Sequence, residues 1–155
     1  MKTLKFNYCC AKCGMMFFAP GVSDFSYGEF VMNTDSGKSA LLHAVSDSVY
    51  QEVCDIVSSL PEISQKSDTE KSEIIQSVFS VACDVSTDNE KYKIGLKPKC
   101  PSCGSHDMAS WEIATPQGYI ELEHVSHTYW NSLTSDDKKK LIGSFIIKNL
   151  PEGQV

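Results

Sequence analysis

Cys10-Ala11-Lys12-Cys13-Gly14 and its counterpart Cys100-Pro101-Ser102-Cys103-Gly104 are the patterns that organise this sequence. In each Cys-x-x-Cys-Gly motif, two thiolates two residues apart can bind one side of a tetrahedral ion. The glycine permits a left-handed turn that directs backbone N–H groups at the sulfur atoms. The sequence therefore predicts a structural metal site with four ligands: Cys10, Cys13, Cys100 and Cys103.

Two other interpretations of the cysteine pairs are weaker. A redox dithiol of the thioredoxin type needs one pair at the start of a helix, whereas here two pairs are flanked by extended sequence. Disulfides of a secreted protein are disfavoured because residues 1–8 show no signal-peptide pattern and seven cysteines is an odd number. We therefore expect a metal-bound protein in a reducing, cytoplasmic environment.

The two motifs resemble the knuckles of zinc-ribbon and rubredoxin-like domains, which lie at the turns of short β-hairpins. The resemblance covers two short arms, residues 1–20 and 91–115, and implies the same four cysteine ligands. It implies zinc as the favoured metal, with iron and a redox role as the weaker alternative. The sequence departs from the family pattern because residues 14–99 separate the knuckles, where a plain ribbon has a short linker.

Two residues near the knuckles are alternative ligands. Cys9 directly precedes Cys10, but only Cys10 reproduces the spacing of the second knuckle, so Cys9 is interpreted as a spare thiol beside the metal. His106 would give a site of three cysteines and one histidine. Because four well-spaced cysteines are present, His106 is the weaker candidate.

His124 and His127 form another cluster of ligand-type residues, with Glu121 and Glu123 just before them. In the strand predicted here, the two histidines point to opposite faces, which favours packing or capping over a shared ion. The sequence contains no nucleophile elbow, phosphate-binding glycine loop or HExxH motif. We therefore expect a protein that is not an enzyme.

Hydrophobic periodicity predicts an α+β fold in one compact domain, residues 1–155. An acidic insert over 21–90, made of a β-hairpin and a two-helix hairpin, lies between the two ribbon arms. A C-terminal strand and helix over 116–155 follow the second arm. The predicted strands cover residues 3–8, 15–19, 29–33, 39–44, 91–97, 108–113 and 119–125. The predicted helices begin at caps on Ser48, Ser67 and Thr134 or Ser135, and the apolar face of the second helix extends to Val85.

The charge is unevenly distributed. The formal net charge is −6, all fourteen basic residues are lysines, and residues 21–90 hold thirteen acids against three lysines. Charge complementarity speeds docking and selects partners, so we expect the insert to bind a basic protein. This favours a non-enzymatic interaction module, of the inhibitor or immunity type. The candidate contact residues are Glu52, Asp55, Glu70 and Glu73.

Nucleic-acid binding is the alternative function, and a rubredoxin-like iron protein is the third. The absence of arginine disfavours sequence-specific recognition of bases and phosphates. A ribbon surface for nucleic acid would combine lysines and stacking aromatics: Lys12, Lys97, Lys99, Phe17, Phe18, Tyr92 and Trp111. No apolar run approaches the roughly 20 residues of a membrane span, so no membrane partner is expected.

Overall fold

The structure is a computed structural model that describes residues 1–23 and 26–150. Residues 24–25 of the predicted insert and 151–155 of the predicted C-terminal segment lie outside this part. The predicted α+β class is confirmed. The strands are β1 (Lys2–Cys10), β2 (Met16–Gly21), β3 (Glu29–Asn33), β4 (Ser39–His43), β5 (Met108–Ile113) and β6 (Tyr119–Glu121). The helices are α1 (Ser48–Ser59), α2 (Pro61–Ser64), α3 (Asp68–Val78), α4 (Thr128–Asn131) and α5 (Ser135–Asn149), and a 3₁₀ turn (Phe79–Ala82) follows α3.

The two arms form one antiparallel sheet, here called the ribbon sheet. Strand β1 lies at its centre, with β2 along one edge and β5 followed by β6 along the other. The alternation of Leu4, Phe6 and Tyr8 in β1 turns one face of the sheet inward. Phe6, Tyr8 and Ala19 are buried there and form a small apolar cluster of their own.

The insert begins with a second hairpin, β3–β4, whose register runs from Glu29 opposite His43 to Asn33 opposite Ser39. A turn at residues 34–37 connects the two strands. Gly37 has a φ of +100°, which a side chain would strain, and its N–H donates to the Thr34 carbonyl at 3.0 Å.

The helices pack with the hairpin and the C-terminal segment into one large core. The largest fully buried side chains of this core include Trp130 and Phe79, and Ile142 and Ile146 of α5 are also buried. Helix α5 therefore packs with the insert in the large core. The chain passes from the ribbon sheet into this core and returns to the sheet before its last helix joins the core.

Two of the predicted caps are present, and one was misplaced. Ser67 accepts a hydrogen bond from the Glu70 N–H, and Thr134 accepts one from the Asp137 N–H. For α1, however, the cap is Asp47 and not Ser48. The Asp47 carboxylate accepts hydrogen bonds from two backbone N–H groups in the first turn, at 2.9 and 3.1 Å.

Three predicted element bounds were wrong. Residues 91–97 form no strand beyond a single bridge, in which Lys93 and Asn33 exchange backbone hydrogen bonds at 3.0 and 3.2 Å. Tyr92 and Ile94 on either side pack on the large core, and Gly95 takes a φ of +87°. The strand predicted over 119–125 ends at Glu121, beyond which only a single bridge forms at His124. The second helix does not continue to residue 85, since α3 tightens into the 3₁₀ turn.

None of the helices within residues 1–23 and 26–150 combines the length and the apolar character that crossing a membrane requires.

Candidate metal centre

Four sulfur atoms lie together where the two knuckle turns meet. Cys10 Sγ is 3.5 Å from Cys103 Sγ, and Cys13 Sγ is 3.6 Å from Cys100 Sγ. All four sulfurs lie within 3.5–3.8 Å of one another. Zinc with Zn–S bonds of about 2.3 Å needs sulfur atoms about 3.8 Å apart, whereas a disulfide needs about 2.05 Å. The arrangement fits one tetrahedral ion and excludes two disulfides in this structure.

The two knuckle turns have matching backbone geometry. The Gly14 N–H donates to the Cys10 carbonyl at 3.0 Å, and the Gly104 N–H donates to the Cys100 carbonyl at 2.9 Å. The N–H of each first cysteine donates to the carbonyl five residues later, at 2.9 and 2.8 Å. Both glycines are left-handed, with φ of +76° and +77°. Each turn therefore presents two thiols to the other in the same way.

The Cys10 and Cys103 thiols differ in their pKa. The backbone N–H groups of Cys13 and Lys12 stabilise the Cys10 thiolate against the opposing effect of burial and lower the pKa of Cys10 to about 6. A backbone hydrogen bond from Ser105 favours the Cys103 thiolate, but partial desolvation and the neighbouring sulfurs outweigh it and raise the pKa of Cys103 to about 11. Four thiolates this close repel one another, and a bound divalent cation would remove that repulsion.

The ligand set is complete without any other group. Cys10 and Cys100 are buried, each 1% exposed, whereas Cys13 and Cys103 are exposed to water. Four protein sulfurs occupy all the positions of a tetrahedral ion, so none remains open for a substrate. The arrangement fits a closed four-thiolate site, and these residues supply the donors that zinc and iron both accept.

Neither alternative ligand joins the four sulfurs. Cys9 Sγ lies 3.8 Å from the Gly14 carbonyl oxygen and stays outside the cluster. The ring nitrogens of His106 lie 2.7 Å from the Lys97 carbonyl oxygen and 3.0 Å from the Asp35 carbonyl oxygen. His106 thus connects the second knuckle to the turn of the insert hairpin instead of binding the ion.

Two further contacts hold the insert hairpin against the second knuckle. Asn33 Nδ2 donates to the Leu96 carbonyl at 2.8 Å. A Cβ at Gly37 would lie 3.2 Å from the Lys99 Cβ, so the glycine lets the knuckle arm approach closely. The metal centre is therefore attached to the insert through the residues that precede Cys100.

The predicted histidine pair takes part in a buried polar network. His127 Nε2 lies 2.7 Å from the Asp47 carboxylate, and its Nδ1 lies 2.6 Å from the Ala82 carbonyl oxygen. These two contacts hold the His127 ring between the cap of α1 and the 3₁₀ turn that follows α3. His124 Nε2 accepts the His43 N–H at 2.9 Å. Packing and capping were expected here, but the role of Asp47 was missed, because Asp47 lies eighty residues from His127 in the sequence.

The candidate partner-binding acids occupy different settings. Glu52 binds Lys138 of α5 at 2.6 Å, and Glu70 lies 3.8 Å from Lys66. Asp55 is exposed and accepts a hydrogen bond from the Gln51 amide at 3.1 Å. Glu73 is exposed on α3. Within the described residues, Asp55 and Glu73 form none of the ion pairs, so they are the two candidates free to meet a partner.

Other acids of the insert are also engaged within the protein. Asp35 pairs with Lys93, Asp88 with Lys38, and Asp84 accepts hydrogen bonds from residues 126, 128 and 129. Part of the negative charge counted in the sequence is therefore paired or hydrogen-bonded within the protein, although Asp35 and Asp88 remain exposed.

The candidate stacking aromatics divide into two groups. Phe17 packs on Tyr8 with ring centroids 5.7 Å apart, and Tyr92 packs on the large core. Phe18 and Trp111 are 59% and 46% exposed. A lysine lies over each of these rings. Lys5 Nζ is 4.7 Å from the centre of the Phe18 ring, and Lys97 Nζ is 4.0 Å from the centre of the Trp111 ring. Lys12 and Lys99 are exposed beside the cysteines.

Comparison with protein-family models, with curated proteins and with solved structures finds no match to this chain. The resemblance to zinc ribbons therefore stands on the knuckle motifs and the four-cysteine cluster.

Proposed function

We propose that this protein is a non-enzymatic protein-interaction module whose fold is stabilised by a structural zinc ion. The observation that carries this proposal is the cluster of four sulfurs at tetrahedral spacing. A site with four protein ligands holds structure together and leaves no position for a reacting group. Zinc is the proposed metal, in a reducing compartment such as the cytoplasm, where thiolates persist.

The proposed partner is a basic protein that docks on the helical part of the insert, in the manner of an inhibitor or immunity-type protein. Asp55 on α1 and Glu73 on α3 support this proposal, because both carboxylates are exposed and neither forms an intramolecular ion pair. Glu52 and Glu70 contribute less, since each already has a lysine partner. Unpaired surface charges increase the association rate with an oppositely charged partner.

The metal is tested by elemental analysis and optical absorption of the purified protein. One zinc ion per chain and no visible absorption are the expected results. A coloured, iron-containing preparation that undergoes reversible reduction would overturn the zinc assignment and favour the rubredoxin-like alternative.

The partner is tested by affinity capture from the native organism, with nuclease treatment and protein mass spectrometry. The expected result is one basic protein that is retained by the wild type and lost with the double variant Asp55→Lys and Glu73→Lys. Asp107→Lys with Glu112→Lys is the matched control, because it makes the same charge change on the ribbon arms and should retain the partner. Equal loss in both double variants would contradict a specific acidic face.

Nucleic-acid binding by the ribbon sheet is the second candidate function. The exposed Trp111 and Phe18, each with a lysine over its ring, favour it. Binding of a single-stranded oligonucleotide that weakens steeply with added salt would support it. Lack of binding at low salt would remove it.

A further inference from the structure

The outer edge of β5 is an unpaired strand edge. Within the described residues, β5 pairs only with β1 in the ribbon sheet. Every β5 residue after Met108 is exposed. Edges of this kind are usually protected by charged side chains, most often lysine, or by proline, and the one charged residue that β5 offers is Glu112. The edge is therefore available to a further strand.

The main-chain groups that would bind such a strand can be identified. The Ala114 N–H donates to the Lys5 carbonyl at 2.9 Å, so Ala114 directs its main chain towards β1. In an antiparallel pair, successive residues direct their main-chain groups to alternate sides. Trp111 and Ile113 therefore direct their N–H and C=O groups outward, away from β1.

The side chains of the same two residues lie on the apolar face of the sheet. Trp111 is opposite Tyr8 and Ile113 is opposite Phe6, and directly opposite residues share a face. Trp111 and Ile113 are 46% and 41% exposed. Glu112, the one charged residue of β5, is opposite Asn7 and so lies on the other face. The free edge thus combines outward main-chain groups with an exposed apolar face.

A groove and an unpaired lysine adjoin this face. The groove has a volume of about 160 Å³ and lies between the ribbon sheet and the insert, with Trp111, Tyr8, Phe30 and Leu96 among its lining residues. Lys97 lines it as well, and its Nζ lies 4.0 Å from the centre of the Trp111 ring. Lys97 takes part in none of the ion pairs within residues 1–23 and 26–150.

We propose that β5 binds an extended acidic segment of another protein as an added strand. Main-chain hydrogen bonds to Trp111 and Ile113 supply the pairing, an apolar side chain of the segment lies over the groove, and a neighbouring carboxylate pairs with Lys97. This surface belongs to the ribbon sheet and is separate from the acidic helical surface proposed for the basic partner.

Charge distinguishes this occupant from a second copy of the chain. In a self-paired β5 edge, Glu112 would remain on the face opposite Lys97 and could not neutralise it. An acidic segment from another protein supplies the missing carboxylate, whereas a second β5 does not.

The test uses the zinc-loaded full chain and a synthetic probe, acetyl-Val-Thr-Glu-Thr-Val-Thr-Glu-Thr-amide. The matched control peptide has lysine in place of glutamate. Trp111 is the reporter, because Trp130 is only 1% exposed and should not respond. We expect a saturable blue shift of tryptophan emission with the acidic peptide and roughly tenfold weaker binding of the lysine peptide.

Two kinds of variant examine the geometry. N-methylation of alternate peptide residues should abolish binding for one set of positions and not for the complementary set, because only one edge of the added strand faces β5. Lys97→Gln should weaken binding roughly two- to fivefold, as for a partly exposed ion pair. Lys139→Gln, an exposed change on α5, should leave binding unchanged.

Several outcomes would overturn the proposal. Equal binding of the acidic and lysine peptides would remove the role of Lys97, and equal effects of the two N-methylated sets would remove strand addition. Sedimentation that shows a peptide-independent dimer with a blue-shifted Trp111 would assign the edge to a second copy. Displacement of the acidic peptide by oligothymidylate at low salt would assign this surface to nucleic acid.

Discussion

Among residues 1–23 and 26–150, the ribbon sheet buries three apolar side chains in a cluster of its own, whereas the large core buries nineteen. A cluster as small as that of Phe6, Tyr8 and Ala19 cannot offset the entropy of ordering two arms that are distant in the sequence. The four-cysteine site lies in this poorer region, where a bound ion would join residues 10–13 to 100–103. We infer that the ribbon sheet depends on its metal and the large core on apolar packing.

Loss of the metal site should have the largest effect. Cys103→Ser, or removal of zinc by a chelator, should unfold the ribbon sheet and lower the free energy of unfolding by about 5 kcal/mol or more, because structural zinc contributes a large part of the folding free energy of small domains. Thermal melting with zinc analysis measures this. Cys9→Ser is the matched control, since Cys9 lies outside the cluster and should keep zinc and stability. Unchanged melting of Cys103→Ser would contradict the four-cysteine assignment.

Truncation in the large core should have the next largest effect and should not remove the metal. Phe79 is fully buried, so Phe79→Ala should cost roughly 3–5 kcal/mol of stability. Urea unfolding measures the loss, and elemental analysis of the folded fraction should still show zinc. Val85→Ala is the control, because Val85 is 47% exposed and should change little. Loss of zinc in folded Phe79→Ala would show that the two regions cannot be separated.

Disruption of the buried pair of Asp47 and His127 should have an intermediate effect on the stability of the large core. Asp47→Asn keeps a good helix cap but removes the charge 2.7 Å from His127, so it should cost roughly 3 kcal/mol. The matched control is Glu52→Gln, which breaks the more exposed pair with Lys138 and should cost less than about 1 kcal/mol. Equal costs in chemical denaturation would show that burial of the pair has no special role.

Loss of the Asp84 carboxylate charge should have the smallest effect on stability. Burial opposes the charged form of Asp84, but hydrogen bonds from the Ser126 hydroxyl and from the Tyr129 and Thr128 N–H groups outweigh it and lower the pKa of Asp84 to about 2. Because this pKa is lower than the value in the unfolded chain, about 3.9, the ionised carboxylate stabilises the folded protein at pH values above about 3.9. This stabilisation is lost as the pH falls towards 2.

Asp84→Asn should therefore lower stability at pH 7 by about 1 kcal/mol and reduce the loss between pH 4 and 2. Denaturation at several pH values measures this change. Asp68→Asn is the control, since Asp68 is an exposed carboxylate at the start of α3 and should leave the acid slope nearly unchanged. An Asp84→Asn slope equal to that of the wild type would contradict the capping role.

Features that depend on neighbours in the chain were predictable. The knuckle turns follow from cysteine and glycine spacing, β1 from the alternation of Leu4, Phe6 and Tyr8, and two helix starts from Ser67 and Thr134. The start of α1 was misplaced by one residue, because Asp47 and Ser48 are both good caps and the local pattern does not separate them. The segment 91–97 has strand-like alternation, but it meets β3 only at the end of that strand, where Lys93 bridges Asn33, and Gly95 then takes a left-handed φ of +87°.

The amino-acid sequence by itself determined the metal-binding motifs, the α+β class and the periodicity of the main helices, because these depend on residues a few positions apart. Only the tertiary structure decided that the four sulfurs meet at tetrahedral spacing, that Asp47 reaches His127, and that Glu52 is neutralised by Lys138. The tertiary structure also determined that β5 pairs with β1 and that, within the described residues, its outer edge stays unpaired. Contacts between distant residues depend on how whole elements pack, and local sequence patterns carry little information about that packing.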